Sequence, residues 1–326
     1  MATGSMTAVV FGGGGFIGRH LVRRLGKAGM VVRVPSRHPT RLSFLRTAGV
    51  VGQIVPELVG PLDDEELAAT IQRADIVINL IGILAENSRN SFDRVHAKLP
   101  GRIAAAAATA GVKHLVHVSA IGADAHSASA YARSKAAGEE AVRAAFPQAT
   151  IVRPSIVFGP EDGFFNRFAR MAVLSPALPL IGGGKTLFQP VFVGDVAKAF
   201  ARILADPAAD GQTYELGGPA RFSFRELLEM TLREIHRRRA LVPIPFPLAG
   251  LMGSAGDVAA SLGLPPPLTS DQVTLLKADN VVSGVYPGLA DLGVTPTTLE
   301  AVLPLYLYRY RKGGQFADQE ERIVPA

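Results

Sequence analysis

Ala8 to Phe11 is an unbroken apolar run, glycines follow at Gly12–Gly15, and Phe16, Ile17, Leu21, Val22 and Leu25 then recur at helical spacing until Gly29. The pattern predicts a strand, a tight turn and a helix with one apolar face. Met30–Val34, Gly52–Val59, Ile76–Leu80 and Leu115–Val118 predict four more strands, with helical stretches between most of them. Strands separated by helices pair in parallel, because a crossover is needed to bring the chain back. The alanine-rich stretch Ile103–Ala110 combines high helix propensity with small side chains, and is expected as a helix lying close on the sheet. The fold class expected is α/β: a doubly wound parallel sheet with a smaller C-terminal lobe.

The character changes after Arg153. Pro154, Pro160, Pro176, Pro179 and Pro190, with the triple glycine Gly182–Gly184, interrupt any long periodicity. The expected division is a sheet domain over 1–153 and a mainly substrate-side or partner-interaction lobe over 154–326, with elements returning to the first domain from about 185–217. Arg221–Arg239 reads as a helix with Leu227, Leu228, Leu232 and Ile235 inward and a basic tip. The following stretch, Ala240–Met252, is apolar but holds Pro243, Pro245 and Pro247, so it is too short and too broken to span a bilayer.

Composition narrows the function classes. Hydrophobic residues make up 48% and charged residues 19% of the 326, as in a globular protein with a packed core. There is no cysteine, hence no disulfide or thiolate metal site, and the 7 histidines are scattered without close carboxylates, so no metal is expected. The net charge of +6 is uneven: Arg233, His236, Arg237, Arg238 and Arg239 form one cluster and Arg309, Arg311 and Lys312 another. Such clusters serve either as a solvated helix face or as a contact for an anionic membrane surface or partner. No aromatic stacking platform accompanies them, so nucleic acid is not expected. The residues from Met1 to Ser5 lack the features of a secretory signal, and Met6 is an equally good start; a cytoplasmic protein is expected.

Gly12, Gly15 and Gly18 form a GxxGxxG pattern between the first strand and the first helix. In that context Gly12 turns tightly, Gly15 lets backbone approach a pyrophosphate, and Gly18 lets the helix lie close to the sheet, while the N–H groups around Phe16 and Ile17 face the phosphates. This is the turn of a Rossmann-type nucleotide-binding domain. An NAD-specific site places Asp or Glu at the end of the second strand, but here the chain reads Val34, Pro35, Ser36, Arg37. A guanidinium instead of an acid favours a 2′-phosphate, and Arg19 is a second candidate for it, so NADPH or NADP is expected over NAD.

Tyr131 and Lys135 stand four residues apart in a region that reads as helical from Tyr131 to Ala145, and Ser119 closes the fifth strand. An ammonium beside a phenol is expected to lower its pKa, and such a phenol exchanges a proton with a carbonyl or alcohol.

The glycine turn, Ser119 and the YxxxK pair resemble an extended or atypical short-chain dehydrogenase/reductase. SAIGADAHSASAYARSKAAGEEAV (Ser119–Val142), VRPSIVFGPEDGFFNRFA (Val152–Ala169), LPLIGGGKTLFQPVFVGDVAKA (Leu178–Ala199), YELGGP (Tyr214–Pro219) and LPLYLYRYRKGGQF (Leu303–Phe316) narrow the resemblance. They are similar to the bacterial relatives of the accessory nucleotide-binding subunit of respiratory complex I, the NADH:ubiquinone oxidoreductase. That resemblance implies a retained NADPH, complex I subunits as partners, a structural, assembly or stabilising role, and a peripheral position, here on the cytoplasmic face of the inner membrane. It implies that Lys135 and Tyr131 hold the nicotinamide ribose and that Gly82, Pro154, Ser155 and Val157 approach the nicotinamide. The chain departs from the pattern after the third strand, where Gly60 and Pro61 replace the Asp or Asn that contacts adenine.

Two functions stand open at this point. One is a non-catalytic accessory protein whose Arg233, Arg237, Arg238, Arg239 and adjoining apolar stretch meet a partner or an anionic membrane. The other is an NADPH-dependent reductase, or an NAD(P)-dependent epimerase or dehydratase, acting on a small carbonyl or sugar-like substrate through Ser119, Tyr131 and Lys135.

Overall fold

In chain order the first half contains β1 (Thr7–Phe11), α1 (Phe16–Lys27), β2 (Val31–Ser36), β3 (Ile54–Leu58), α2 (Asp64–Ile71), β4 (Ile76–Asn79), α3 (Leu99–Thr109), β5 (His114–Val118), α4 (Ala130–Ala145) and β6 (Thr150–Pro154). The computed structural model describes residues 5–60, 62–88, 90–264, 266 and 268–314. Pro61 and the end of the motif that closes at Phe316 therefore lie outside the described residues.

Alternate residues of each strand serve opposite faces of the sheet. Val9, Phe11, Val77, Leu115 and Ile151 pack with Ile103, Ala104 and Val142 of α3 and α4. Their neighbours Val10, Ile76, Ile78, Val116 and Val152 pack with Leu21, Val22 and Leu25 of α1 on the other side. Both faces are covered, which is why the strands read as continuous apolar runs.

The chain continues through β7 (Val157–Phe158), α5 (Phe165–Leu174), β8 (Ala177–Ile181), β9 (Leu187–Phe188), β10 (Val191–Phe192), α6 (Val193–Ile203) and β11 (Thr213–Leu216). Val196, Ala199, Phe200 and Ile203 of α6 join the core beneath α1. β11 pairs in parallel with β6, completing a seven-stranded sheet of order β11-β6-β5-β4-β1-β2-β3. All its pairings are parallel, so the carboxyl ends of the strands share one edge.

β12 (Phe222–Ser223), α7 (Phe224–Glu234), β13 (Ala240–Ile244), α8 (Phe246–Ser261) and α9 (Ser270–Leu275) follow. A second core, with Phe158, Phe165, Leu178, Leu180, Phe224, Leu227, Leu228, Leu303 and Tyr306, holds β12, α7 and β13 to α5 and β8, and a smaller cluster of Ile181, Ala249 and Val273 joins α8 and α9 to β8. One expectation is revised here. The helix expected over Arg221–Arg239 is shorter: Ser223 and Glu226 form a capping box at its start, and the chain turns out at His236, where φ is +51°. The proline-broken stretch Ala240–Met252 is ordered as β13 and the start of α8. Pro243 is tolerated because β13 pairs only with β8, and Pro247 because it sits in the first helical turn, where no backbone donor is needed. Among the described residues no helix is long and apolar enough to cross a membrane.

Candidate functional site

The carboxyl edge of the sheet collects the chemistry. The glycine turn follows β1, Ser36 ends β2 and Arg37 follows it, Gly60 follows β3, Gly82 follows β4, Ser119 follows β5, and Pro154 ends β6 with Ser155 next.

At the turn, Gly12 has φ of +76°, and a Cβ on Gly18 would lie 2.5 Å from the Gly12 carbonyl oxygen. A side chain at Gly18 would therefore push α1 away from the turn. Gly15 is the N-cap of α1 and no side chain caps the helix there. The first turn, with Phe16 and Ile17, thus presents N–H groups and the positive end of the helix dipole to any anion beside it. Phe16 lies edge-on to His20, and Ile17 packs on the core. The 3₁₀ segment Pro39–Ala48 folds over the turn, with Leu42 meeting Gly14. Arg37 is exposed and makes no ion pair among the described residues, and Ser36 Oγ accepts from the His38 N–H. Arg19 is differently placed: its guanidinium is 3.5 Å from Glu161 and lies over the Phe44 ring. Glu161 and Phe44 were not visible as neighbours in the sequence, being far from Arg19 along the chain.

Lys135 of α4 reaches the end of β5, which Ser119 follows. Lys135 is buried, its Nζ donates to the Val118 carbonyl at 3.3 Å, and it lies 5.8 Å from the Tyr131 ring centroid. Ser119 Oγ is buried without a hydrogen-bond partner among the described residues, as is His117 Nε2 one strand repeat below. Gly82 faces the Lys135 ammonium and the His96 ring. Burial pushes the Tyr131 phenol up to about 12, reinforced by the negative charge of Asp271. This corrects the expectation that the neighbouring ammonium lowers it. The ammonium itself yields: burial drops Lys135 to about 8, against the opposing pull of Glu139.

Sequence reasoning missed His96, an isolated histidine ahead of the alanine-rich helix. It sits in a π-helical turn, Asp93–Lys98, stacked on Phe92 and edge-to-face with Tyr131. Its Nε2 accepts from the Ile83 N–H at 3.0 Å. Nδ1 therefore carries the proton and donates to Ser134 Oγ, which donates to the Tyr131 carbonyl. Burial holds His96 near 3, so the ring stays neutral. An open depression of about 600 Å³ on the outer face of α4 has Glu139, Glu140, Arg143 and Arg153 among its lining, but not Tyr131 or Lys135. Two of its cations already share one carboxylate: Glu139 pairs with Arg153 at 2.7 Å and with Arg143 at 3.4 Å.

The donor set fits a nicotinamide dinucleotide. It combines an uncapped helix N-terminus over a glycine turn, an exposed guanidinium after β2, a buried ammonium and an unpartnered buried hydroxyl along one edge. Among the described residues no group of histidine and carboxylate side chains is arranged to hold a metal ion.

Comparison with known proteins agrees with this geometry. Residues 8–217 match the NAD dependent epimerase/dehydratase family. The chain is 39% identical over 318 residues to the mitochondrial NADH dehydrogenase (ubiquinone) 1 alpha subcomplex subunit 9 of Arabidopsis thaliana, spanning 95% of this chain and 79% of that protein. The Mus musculus protein of the same name is 36% identical over 323 residues, 98% of this chain and 85% of its own. A ceramide reductase of Caulobacter vibrioides is 35% identical over 225 residues, 66% of this chain and 69% of its own. The fold superposes on dTDP-glucose 4,6-dehydratase from Streptomyces venezuelae, solved with NAD and TYD bound. The TM-score is 0.68 at 20% identity, covering 94% of this chain and 98% of that one, a likeness of fold.

Proposed function

This chain belongs to the NAD dependent epimerase/dehydratase family, among relatives of the subunit 9 proteins, and on that premise we propose that it is an NADP(H)-binding accessory protein of complex I. One observation carries the reading. The epimerase match ends at residue 217, whereas identity to the subunit 9 proteins runs over 95–98% of the chain and so includes the C-terminal lobe. A shared nucleotide domain alone would indicate only an ancestry; a shared lobe indicates a shared set of contacts.

In this reading the N–H groups of α1 beside Gly12, Gly15 and Gly18 hold the pyrophosphate, and Ser36 and Arg37 take the 2′-phosphate that distinguishes NADP from NAD. Tyr131 and Lys135 hold the nicotinamide ribose, with Gly82, Pro154, Ser155 and Val157 around the nicotinamide. Arg19, anchored by Glu161, flanks the adenosine end.

The lobe would rest peripherally on an anionic membrane surface. The inward side of α8 is made of Ala249, Gly253, Gly256 and Ala260, while Leu248, Leu251, Met252 and Val258 are exposed, an inversion that no core requires. Of the four basic residues expected there, Arg233 and Arg238 are exposed. Arg237 and Arg239 clamp the Tyr310 and Ala172 carbonyls and support the surface from within. Apolar groups entering the headgroup region beside arginines suit anionic lipid.

The test is association and content. Affinity purification from native membranes should recover complex I subunits, and the denatured protein should release NADP(H). Recovery without any such subunit, with quinone-linked NADH oxidation unchanged on deletion, would overturn the reading.

A second reading rests on the unpartnered Ser119 Oγ and on identity to a ceramide reductase. Ser119 and Tyr131 would bind a carbonyl oxygen, Tyr131 would donate the proton, and Lys135 would stabilise the resulting phenolate. A bound reduced nicotinamide supplies the hydride. Tyr131→Phe separates the two readings: a cellular function lost with that substitution, in a protein still holding its nucleotide, supports reduction.

A further inference from the structure

The segment Thr269–Asn280 of the C-terminal lobe crosses the carboxyl edge and bonds to each loop around the candidate nicotinamide end. Asp271 accepts from Ser129 Oγ at 2.8 Å, Ala130 N–H at 2.6 Å and Tyr131 N–H at 3.2 Å. One carboxylate thus serves three donors at the start of α4, including the backbone of Tyr131 itself. Gln272 donates to the Leu84 carbonyl beyond β4 at 3.3 Å. Asn280 donates to the Ile121 carbonyl beyond β5 at 3.3 Å, and its own carbonyl and side-chain oxygens receive Ser155 Oγ beyond β6 at 2.9 and 2.7 Å. The far side of the same segment belongs to the lobe: the Ser270 hydroxyl and N–H are held by Asp257 of α8, and Thr186 donates to the Leu276 carbonyl.

We propose that Asp271 and Asn280 are positioning residues of the nucleotide site, latching Thr269–Asn280 across the loops that leave β4, β5 and β6 so that bound nucleotide leaves slowly. The proposal rests on the NADP(H) reading. Asp271 fixes the helix turn that carries Tyr131 and, one turn on, Lys135. Asn280 fixes Ser155 and joins it to Ile121. Release of a nucleotide held by Tyr131, Lys135 and Ser155 requires these groups to part, and Tyr131 and Ser155 are tied to a segment anchored in the lobe through Val273 and Leu276. Charge adds to geometry in Asp271, since an anion at the N-terminus of a long helix is favoured by the unpaired N–H groups and the dipole.

The experiment uses the full chain loaded with NADPH and chased with excess NADP⁺, following loss of bound-nucleotide fluorescence by stopped flow. Asp271→Ala and Asn280→Ala should each speed release at least about tenfold, a change carried mostly by the off-rate. Asp271→Asn, which keeps an acceptor for Ser129 but loses the charge, should fall between wild type and Asp271→Ala. Ser270→Ala removes one hydroxyl contact to Asp257 but keeps the Ser270 N–H bond to it and leaves the edge untouched, and should release at the wild-type rate. Unchanged release in Asp271→Ala and Asn280→Ala would overturn the latch, and so would equal acceleration in Ser270→Ala, which would make lobe stability the cause. Wild-type protein that binds neither NADPH nor NADP⁺ would instead remove the nucleotide reading on which the latch stands.

Discussion

In the proposed reading, a single guanidinium at the end of β2 distinguishes two nucleotides that differ by one phosphate. Arg37 is exposed and makes no ion pair among the described residues, so its charge is available to a ligand. Arg37→Ala should weaken NADPH binding by about 1.5–3 kcal/mol, the scale of a charged hydrogen bond, and leave NADH binding within about twofold in the same titration. Equal losses for both would contradict the assignment. Lys135 sets a second test at this scale. Its value falls from 10.5 unfolded to about 8 folded, so between those values the unfolded chain binds more protons and stability rises with pH. The cost of burying the ammonium is therefore fully present below about pH 8. Lys135→Met should stabilise the ligand-free protein at pH 7 by about 1–3 kcal/mol, read as a higher thermal midpoint, with the gain vanishing toward pH 10.5. NADPH affinity should fall in the same variant. Residue types at this site were legible, because glycine spacing, the missing acid after β2 and the YxxxK pair are local patterns. The protonation of Tyr131 was not, because burial and Asp271 decide it and neither is a neighbour in sequence.

Among the elements, the strands were the most readable, since burial on both faces leaves apolar runs with no polar alternation. Helix α7 was overextended in the sequence reading: the leucine pattern gives its inward face, but its ends are set by the capping box of Ser223 and Glu226 and the turn at His236. Helix α8 defeats periodicity altogether. Its inward stripe is small and its outward side is large and apolar, the reverse of an ordinary surface helix. A Cβ on Gly256 would lie 1.8 Å from the Leu268 carbonyl oxygen, so backbone contact with the chain entering α9 takes the place of side-chain interdigitation. Because Leu251 is 71% exposed, Leu251→Glu should leave the thermal midpoint unchanged. It should reduce cosedimentation with vesicles containing phosphatidylglycerol by several-fold, and Arg238→Glu should do the same. Binding that is insensitive to both substitutions would overturn the proposed membrane contact of α8.

For the molecule as a whole, acid should act through two buried imidazoles. Burial holds both His96 and His117 near 3, whereas in the unfolded chain each titrates near 6.5. Below pH 6.5 the unfolded state takes up protons that the folded state refuses, so stability is lost as pH falls toward 3, by about 1.4 kcal/mol per pH unit for each ring. Chemical denaturation at pH 4.5 and 6.5 should show this loss, and His117→Asn should make it smaller. The His96 ring packs on Tyr131 and Ser134 of α4 and the His117 ring bonds Asn79 of β4, so the acid sensitivity belongs to the sheet domain. The sequence by itself determined the parallel α/β architecture, the glycine turn and the candidate nucleotide chemistry. Each of these follows from side chains a few positions apart, whose burial period or turn geometry is written locally. Only the tertiary structure decided that Asp271 reaches Tyr131 across 140 residues, that Asn280 closes on Ser155 across 125, and that Glu161 claims Arg19. Those pairings arise because two separate cores hold the lobe against the carboxyl edge of the sheet, and packing between distant segments leaves no period in the chain from which to read it.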